Sequence, residues 1–138
     1  MAMPELDRLD ELVRLVQDRP GLFLRYSNGP DADADETSRD YESGLELPGL
    51  PATVLDPPPW WRRPVADWLA RQVCKYAHLA GDGDRRRAWV LGGRVAGQGP
   101  DHEPLIRGAE PVAWLSTGLV DEARKRYEDR FDVGEDST

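Results

Sequence analysis

The sequence is poor in the residues that carry thiol and metal chemistry. It contains one cysteine, Cys74, and two histidines, His78 and His102. A single cysteine excludes a disulfide within the chain, which fits a reducing compartment, so we expect a cytoplasmic protein. Zinc would need Cys74, both histidines and a carboxylate in one place. We therefore interpret Cys74 as a lone thiol beside a surface histidine.

Long apolar runs and an excess of positive charge are also missing. No apolar run approaches the roughly 20 residues that span a membrane, and the N-terminal residues lack the apolar core of a signal peptide. The formal net charge is −8. Because phosphate backbones and anionic lipids repel a net-acidic chain, we expect neither nucleic acid nor a membrane as a partner.

The charges that are present are unevenly distributed. Residues 31–46 carry seven acids and one base, whereas residues 62–94 carry eight bases and three acids. Either the two segments pair with each other, or the basic segment faces an external anion.

The acidic segment matches part of a calcium-binding pattern. Asp31, Asp33, Asp35 and Glu42 occupy positions 1, 3, 5 and 12 of an EF-hand loop. Position 6, which needs glycine for a sharp turn, is Glu36, and the preceding residues read as a strand instead of a helix. We interpret the segment as an acidic loop that faces water or lies on arginines, and we predict no metal site.

The apolar periodicity predicts an α+β fold. Main helices are predicted in residues 5–18, 60–81 and 118–131, and strands in residues 21–27, 87–97, 104–108 and 111–116. Prolines restrict residues 45–55 to an edge strand or irregular backbone. We expect a single α+β domain over residues 1–133, with about three main helices packed on a small mixed or antiparallel sheet, and a frayed acidic tail over residues 134–138.

The helix predicted in residues 60–81 is rich in tryptophan. Its periodicity places Trp68 and Leu69 on the buried face, and Asp67, Arg71, Cys74 and His78 on the opposite face. A homodimer built on the face of Cys74 and His78 is one alternative. Trp61 falls near the buried face, whereas Trp60 points elsewhere and is equally compatible with core and surface.

The first functional hypothesis is a non-catalytic module that binds a protein or a small ligand and needs no cofactor. Trp60 follows three prolines and precedes Arg62 and Arg63. Exposed aromatic rings beside arginines stack on ring ligands or anchor a protein partner. The expected binding surface consists of Arg25, Tyr26, Ser27, Arg39, Tyr41 and Trp60, together with the loops of residues 38–41 and 97–103.

The second hypothesis is an enzyme that consumes NAD⁺. An arginine at the end of an early strand, Arg25, and a late acid-x-Glu, Asp101 and Glu103, follow the order seen in ADP-ribosyltransferases. There the arginine binds the pyrophosphate of NAD⁺, and the glutamate stabilises the positive charge that develops on the ribose. The structural alternative is that Arg25 pairs with acids of residues 31–42 and that Glu103 hydrogen-bonds within a turn.

Three strings resemble an uncharacterised family of small bacterial proteins, a domain of unknown function. They are SRDYESGLELPGL (38–50), PWWRRPVADWLARQ (59–72) and GRVAGQGPDHEPLI (93–106). The resemblance implies that these stretches belong to one fold, and it supplies no activity.

Overall fold

The structure is a computed structural model that describes residues 3–35, 49–75, 77, 87–99 and 102–131. Its helices are α1 (Leu9–Asp18), α2 (Pro30–Asp35), α3 (Val65–Cys74) and α4 (Thr117–Phe131). Its strands are β1 (Glu5–Leu6), β2 (Phe23–Ser27), β3 (Leu50–Pro51), β4 (Thr53–Val54), β5 (Arg87–Gln98) and β6 (Pro104–Leu115).

The strands form one mixed sheet in the order β1-β6-β5-β2-β4, with β3 also paired to β6. Strand β1 runs parallel to β6, and the other pairs are antiparallel. The predicted α+β class is confirmed, but the sheet has six strands and is larger than expected. The two short strands predicted in residues 104–116 are one continuous strand of 12 residues. The tail of residues 134–138 lies outside the described residues.

The sheet curls because a short segment joins two strands that are not neighbours. Strand β3 pairs with β6, and β4, only one residue later, pairs with β2. Strands β5 and β6 also contain three register shifts, and such bulges increase bending and twist. The first residues of β6 are therefore brought round toward β2 and its neighbouring loops.

Strand β2 is buried on both faces. Successive side chains of a strand alternate, so Leu24 and Tyr26 face the helices while Phe23, Arg25 and Ser27 face the other side. The helix-side cluster includes Leu9, Leu12, Val16, Leu24, Tyr26, Leu69, Val73, Val90, Leu115 and Leu119. The inner cluster consists of Phe23, Ala52, Trp89, Leu91 and Ile106.

The first helix is shorter than the periodicity predicted. Its first predicted residues, Glu5 and Leu6, pair with β6 instead, and α1 begins at Leu9. The Leu9 amide donates to the Glu122 carboxylate at 3.0 Å, which satisfies one of the unpaired donors at the helix start. Pairing with the sheet therefore overrides helix propensity at this end.

A short helix replaces the first part of the predicted acidic loop. Helix α2 starts at Pro30 and carries Asp31 and Asp33 in its first turn. Proline is favoured at the first helical position, and acidic residues there interact favourably with the helix dipole. Pro30 and the two aspartates were therefore signals of a helix start, but the high density of acids in this segment led to the prediction of a loop.

The tryptophan-rich helix begins later than predicted, and one of its faces was predicted incorrectly. Helix α3 starts after Pro64. Asp67, expected on the exposed face, is 2% exposed. Its Oδ1 accepts a hydrogen bond from Arg126 Nε at 2.7 Å, and its Oδ2 lies 3.4 Å from Arg63 Nε. The carboxylate is buried because two guanidinium groups surround it, one of them from α4.

Replacement of Asp67 by alanine should destabilise the packing of α3 on α4. Two arginines lose a charge-assisted partner, so we expect the free energy of unfolding to fall by about 2 kcal/mol. Urea denaturation measures this change. Asp121→Ala is the matched control because Asp121 is 73% exposed and 3.8 Å from Arg124, and it should lower stability by less than about 0.5 kcal/mol. Equal losses in the two variants would contradict the assignment.

Candidate functional site

Arg25 is held by an acid of the segment that resembled a calcium loop. Its Nε donates to Asp33 Oδ2 at 2.7 Å, and its Nη2 donates to Asp33 Oδ1 at 3.4 Å. Its Nη1 donates to the Pro51 carbonyl oxygen at 2.8 Å. The two side chains are 17% and 11% exposed. The structural alternative for Arg25, pairing with acids of residues 31–42, is confirmed.

Ser27 connects this ion pair to the inner cluster. Its hydroxyl donates to Asp33 Oδ2 at 2.7 Å and accepts hydrogen bonds from Trp89 Nε1 at 2.9 Å and from the Gly29 amide at 3.1 Å. Ser27 is 7% exposed, and Trp89 is fully buried. Alternation along β2 places Arg25 and Ser27 on one face. The sequence suggested an acid of residues 31–42 as the partner of Arg25, but nothing in it pointed to Trp89 as the partner of Ser27.

Tyr26 lies on the opposite face of β2 and does not belong to a surface. It is 9% exposed, and its hydroxyl donates to the Val73 carbonyl oxygen at 2.7 Å. Burial raises the pKa of this phenol well above its usual value, and the neighbouring Cys74 contributes to the rise. Tyr26 and Ser27, which were expected to line a binding surface, are both buried, because both strand faces at this point are covered.

Glu103 belongs to the turn that joins β5 to β6. The Gly99 amide donates to the Glu103 carbonyl oxygen at 2.8 Å, and the His102 amide donates to the Gly99 carbonyl oxygen at 3.0 Å. The Glu103 carboxylate lies so close to Gly99 that a side chain at position 99 would collide with it. The Glu103 backbone therefore closes the turn through its carbonyl oxygen, while Asp101, its predicted companion, lies outside the described residues.

Arg25 and the residue that follows Glu103 both bond to the backbone of residues 51–52, where β3 ends. Arg25 donates to the Pro51 carbonyl oxygen, and the Ala52 amide donates to the carbonyl oxygen of Pro104, the residue after Glu103. The curl of the sheet thus brings the strand of Arg25 and the start of β6 to one segment. The guanidinium is nevertheless turned toward Asp33.

Trp60 occupies a different region. It is 65% exposed, and its ring contacts that of Trp61, with centroids 6.2 Å apart. Trp61 meets Trp68 edge-on at 5.1 Å. Trp68 packs against the helix-side cluster, whereas Arg25 faces the other side of the sheet. Trp60 and Arg25 therefore do not form one surface, and Arg39 and Tyr41 lie outside the described residues.

The described residues contain neither a metal centre nor an activated thiol. Cys74 is half-buried, and burial raises the pKa of its thiol to about 11, against a lowering effect of Arg124. No group of three or more His, Cys, Asp or Glu side chains in the described ranges is placed to hold a metal ion. No described helix combines the length and the apolar character needed to cross a membrane.

Replacement of Ser27 by alanine should test the Arg25–Asp33–Ser27–Trp89 network. The Trp89 and Gly29 donors would lose their acceptor in a buried place, so we expect the free energy of unfolding to fall by about 2–4 kcal/mol. Ser116→Ala serves as the control, since the Ser116 hydroxyl accepts from the Leu119 amide at 3.1 Å at a helix start. Its loss should lower the free energy of unfolding by about 1 kcal/mol. Chemical denaturation of both variants gives the comparison, and a loss for Ser27→Ala no greater than for Ser116→Ala would refute the network's role.

Comparisons with known proteins identify a family without identifying an activity. Searches of curated proteins and of solved structures give no significant match. A family model described as a family of unknown function matches residues 1–137. The chain therefore belongs to the family of unknown function DUF6098.

Proposed function

We propose that this chain is a non-catalytic binding domain that holds a protein partner through a surface centred on Trp60. The observation that carries the proposal is the 65% exposure of Trp60 on a fixed aromatic support. Trp61 and Trp68 are each anchored by a hydrogen bond from Nε1 to a backbone carbonyl, of Pro64 at 3.1 Å and of Leu55 at 3.0 Å. An exposed tryptophan with rigid support is typical of residues that dominate binding energy.

The surroundings of Trp60 favour a partner that offers an apolar side chain flanked by carboxylates. Arg62 and Arg71 are exposed, and Arg71 follows Trp68 by three residues, which places both on one helix face. Arg63, by contrast, is used within the protein, since its guanidinium lies 4.1 Å from the centre of the Phe131 ring. Tryptophan and arginine are enriched in interface cores, and rim charges steer association.

The proposed surface is smaller than the one expected from the sequence. Arg25 is satisfied by Asp33 and Pro51, and Tyr26 is buried, so neither is included. Contributions of Arg39 and Tyr41 stay predictions.

Replacement of Trp60 by alanine should weaken partner binding strongly without unfolding the domain. We suggest affinity capture from a cell extract, followed by purification of the retained protein and titration against the wild type. We expect the dissociation constant to rise at least about tenfold for Trp60→Ala, because a hot-spot side chain is removed. Unfolding free energy should change by no more than about 0.5 kcal/mol, as is usual for surface sites.

The matched control is Val95→Ala, since Val95 is 57% exposed and lies on β5. Its affinity should equal that of the wild type, and Arg62→Gln should weaken binding mainly at low salt. Unchanged binding by Trp60→Ala, or equal loss in Val95→Ala, would contradict the proposal.

An enzyme that consumes NAD⁺ is the second candidate. What favours it is that Arg25 and the residue after Glu103 both bond to the backbone of residues 51–52. In such a site Arg25 would bind the pyrophosphate and Glu103 would stabilise the developing charge on the ribose. The pyrophosphate would have to displace the Asp33 carboxylate from Arg25, which raises the free energy required for binding.

Thermal unfolding with and without NAD⁺ tests this candidate. A ligand at ten times its dissociation constant adds about 1.4 kcal/mol of stability, so the melting temperature should rise measurably. Glu103→Gln should keep that rise and lose nicotinamide release, whereas the exposed control Glu128→Gln should keep both. The absence of any NAD⁺-dependent rise in the wild type would eliminate this candidate.

A further inference from the structure

Two arginines face each other directly across strands β5 and β6. Arg94 and Arg107 are register partners, and both are exposed. Directly opposite residues of an antiparallel pair have Cβ atoms about 4.5–5.5 Å apart, and like charges in this position are destabilising. Within the described ranges, neither guanidinium forms an ion pair or a hydrogen bond.

The acid nearest in register is already used. Glu110, which lies opposite Gly92, accepts a hydrogen bond from Arg19 at 2.9 Å. The chain has 26 acids against 18 bases, so opposite charges are abundant elsewhere in the sequence. Within the described part of the chain, the two opposed arginines therefore have no carboxylate partner, and both charges are available to an anion from outside.

Glycines on both strands fix the position of the two arginines. The register shifts between Gly92 and Arg94, and Gly93 there has a φ of 146°. A Cβ atom at position 93 would lie 2.9 Å from the Arg107 carbonyl oxygen. Gly108, directly after Arg107, has a φ of 61°. Bulges of this kind redirect side chains and occur preferentially beside functional sites.

We propose that Arg94 and Arg107 form a binding site for a phosphate dianion, either the free ion or the phosphate group of a monoester. Two guanidinium groups supply planar pairs of donors and two positive charges, which match the oxygens and the charge of a phosphate dianion. A single small anion suits the pair better than a polyanion does, because the net charge of −8 repels an extended phosphate backbone. The site is independent of Trp60 and of the function proposed above.

Titration with inorganic phosphate at constant ionic strength tests the site directly. Nuclear magnetic resonance of the arginine Nε–H groups should show saturable shifts confined to Arg94 and Arg107. Arg94→Gln and Arg107→Gln should each weaken binding at least about tenfold, because each removes a charge-assisted pair of hydrogen bonds. The control Arg14→Gln removes an exposed arginine of α1 and should bind as the wild type does.

Titration with O-phosphoserine in parallel separates two sources of the same group. Tighter binding of phosphoserine indicates a phosphate carried on a larger molecule, and tighter binding of inorganic phosphate indicates the free ion. Either result supports the site. Shifts that do not saturate, or an equal loss in Arg14→Gln, overturn it.

The melting temperature provides a second test of the phosphate site. Without phosphate, Arg94→Gln should raise the melting temperature by about 1–4 °C, because it relieves like-charge repulsion. With saturating phosphate, the wild type should gain more than the variant does. A melting temperature that falls in Arg94→Gln without phosphate would show that Arg94 is structural and would overturn the proposal.

Discussion

The burial of β2 on both faces is the constraint on which the rest of the structure depends. Every polar group on that strand has to find its partner inside the protein, because water reaches neither face freely. The Asp33 carboxylate meets this need for Arg25 and Ser27 together, and Ser27 in turn accepts from the buried Trp89 indole. One short helix, α2, is thereby fixed against the strand, and the inner cluster is closed at this end.

Burial also determines which arginines are bonded inside the protein and which are left for a ligand. Arg25 is bonded to a carboxylate and to a backbone carbonyl, and Arg126 is bonded to the buried Asp67. Removal of a partner from such a guanidinium leaves an uncompensated group in a partly buried place. Any ligand that recruited Arg25 would have to replace the interaction with Asp33, so the arginine that looked most functional in the sequence is among the most committed to the fold.

The sequence predicted what depends on local pattern and missed what depends on tertiary contacts. The helical periodicity around Leu69 and the strand in residues 21–27 were predicted correctly, because each depends on a local pattern of apolar residues. The burial of Asp67 was missed because the carboxylate becomes tolerable only when Arg126 arrives from another helix. The predicted surface joined Tyr26 to Trp60 for a related reason. A single sequence does not show which strand faces are covered, and the alternation of side chains places Tyr26 under the helices.

The other arginines differ in whether their charge has a partner inside the protein. Arg63 is shared between the Phe131 ring and Asp67, and Arg19 pairs with Glu110. Arg94 and Arg107 face each other on a glycine-rich part of the hairpin, where a neutral pair would be more stable. Elsewhere in the fold the buried Asp67 is paired with both Arg63 and Arg126. Two opposed arginines left without such an acid in the described part of the chain are therefore better explained by an external anion than by the stability of the fold.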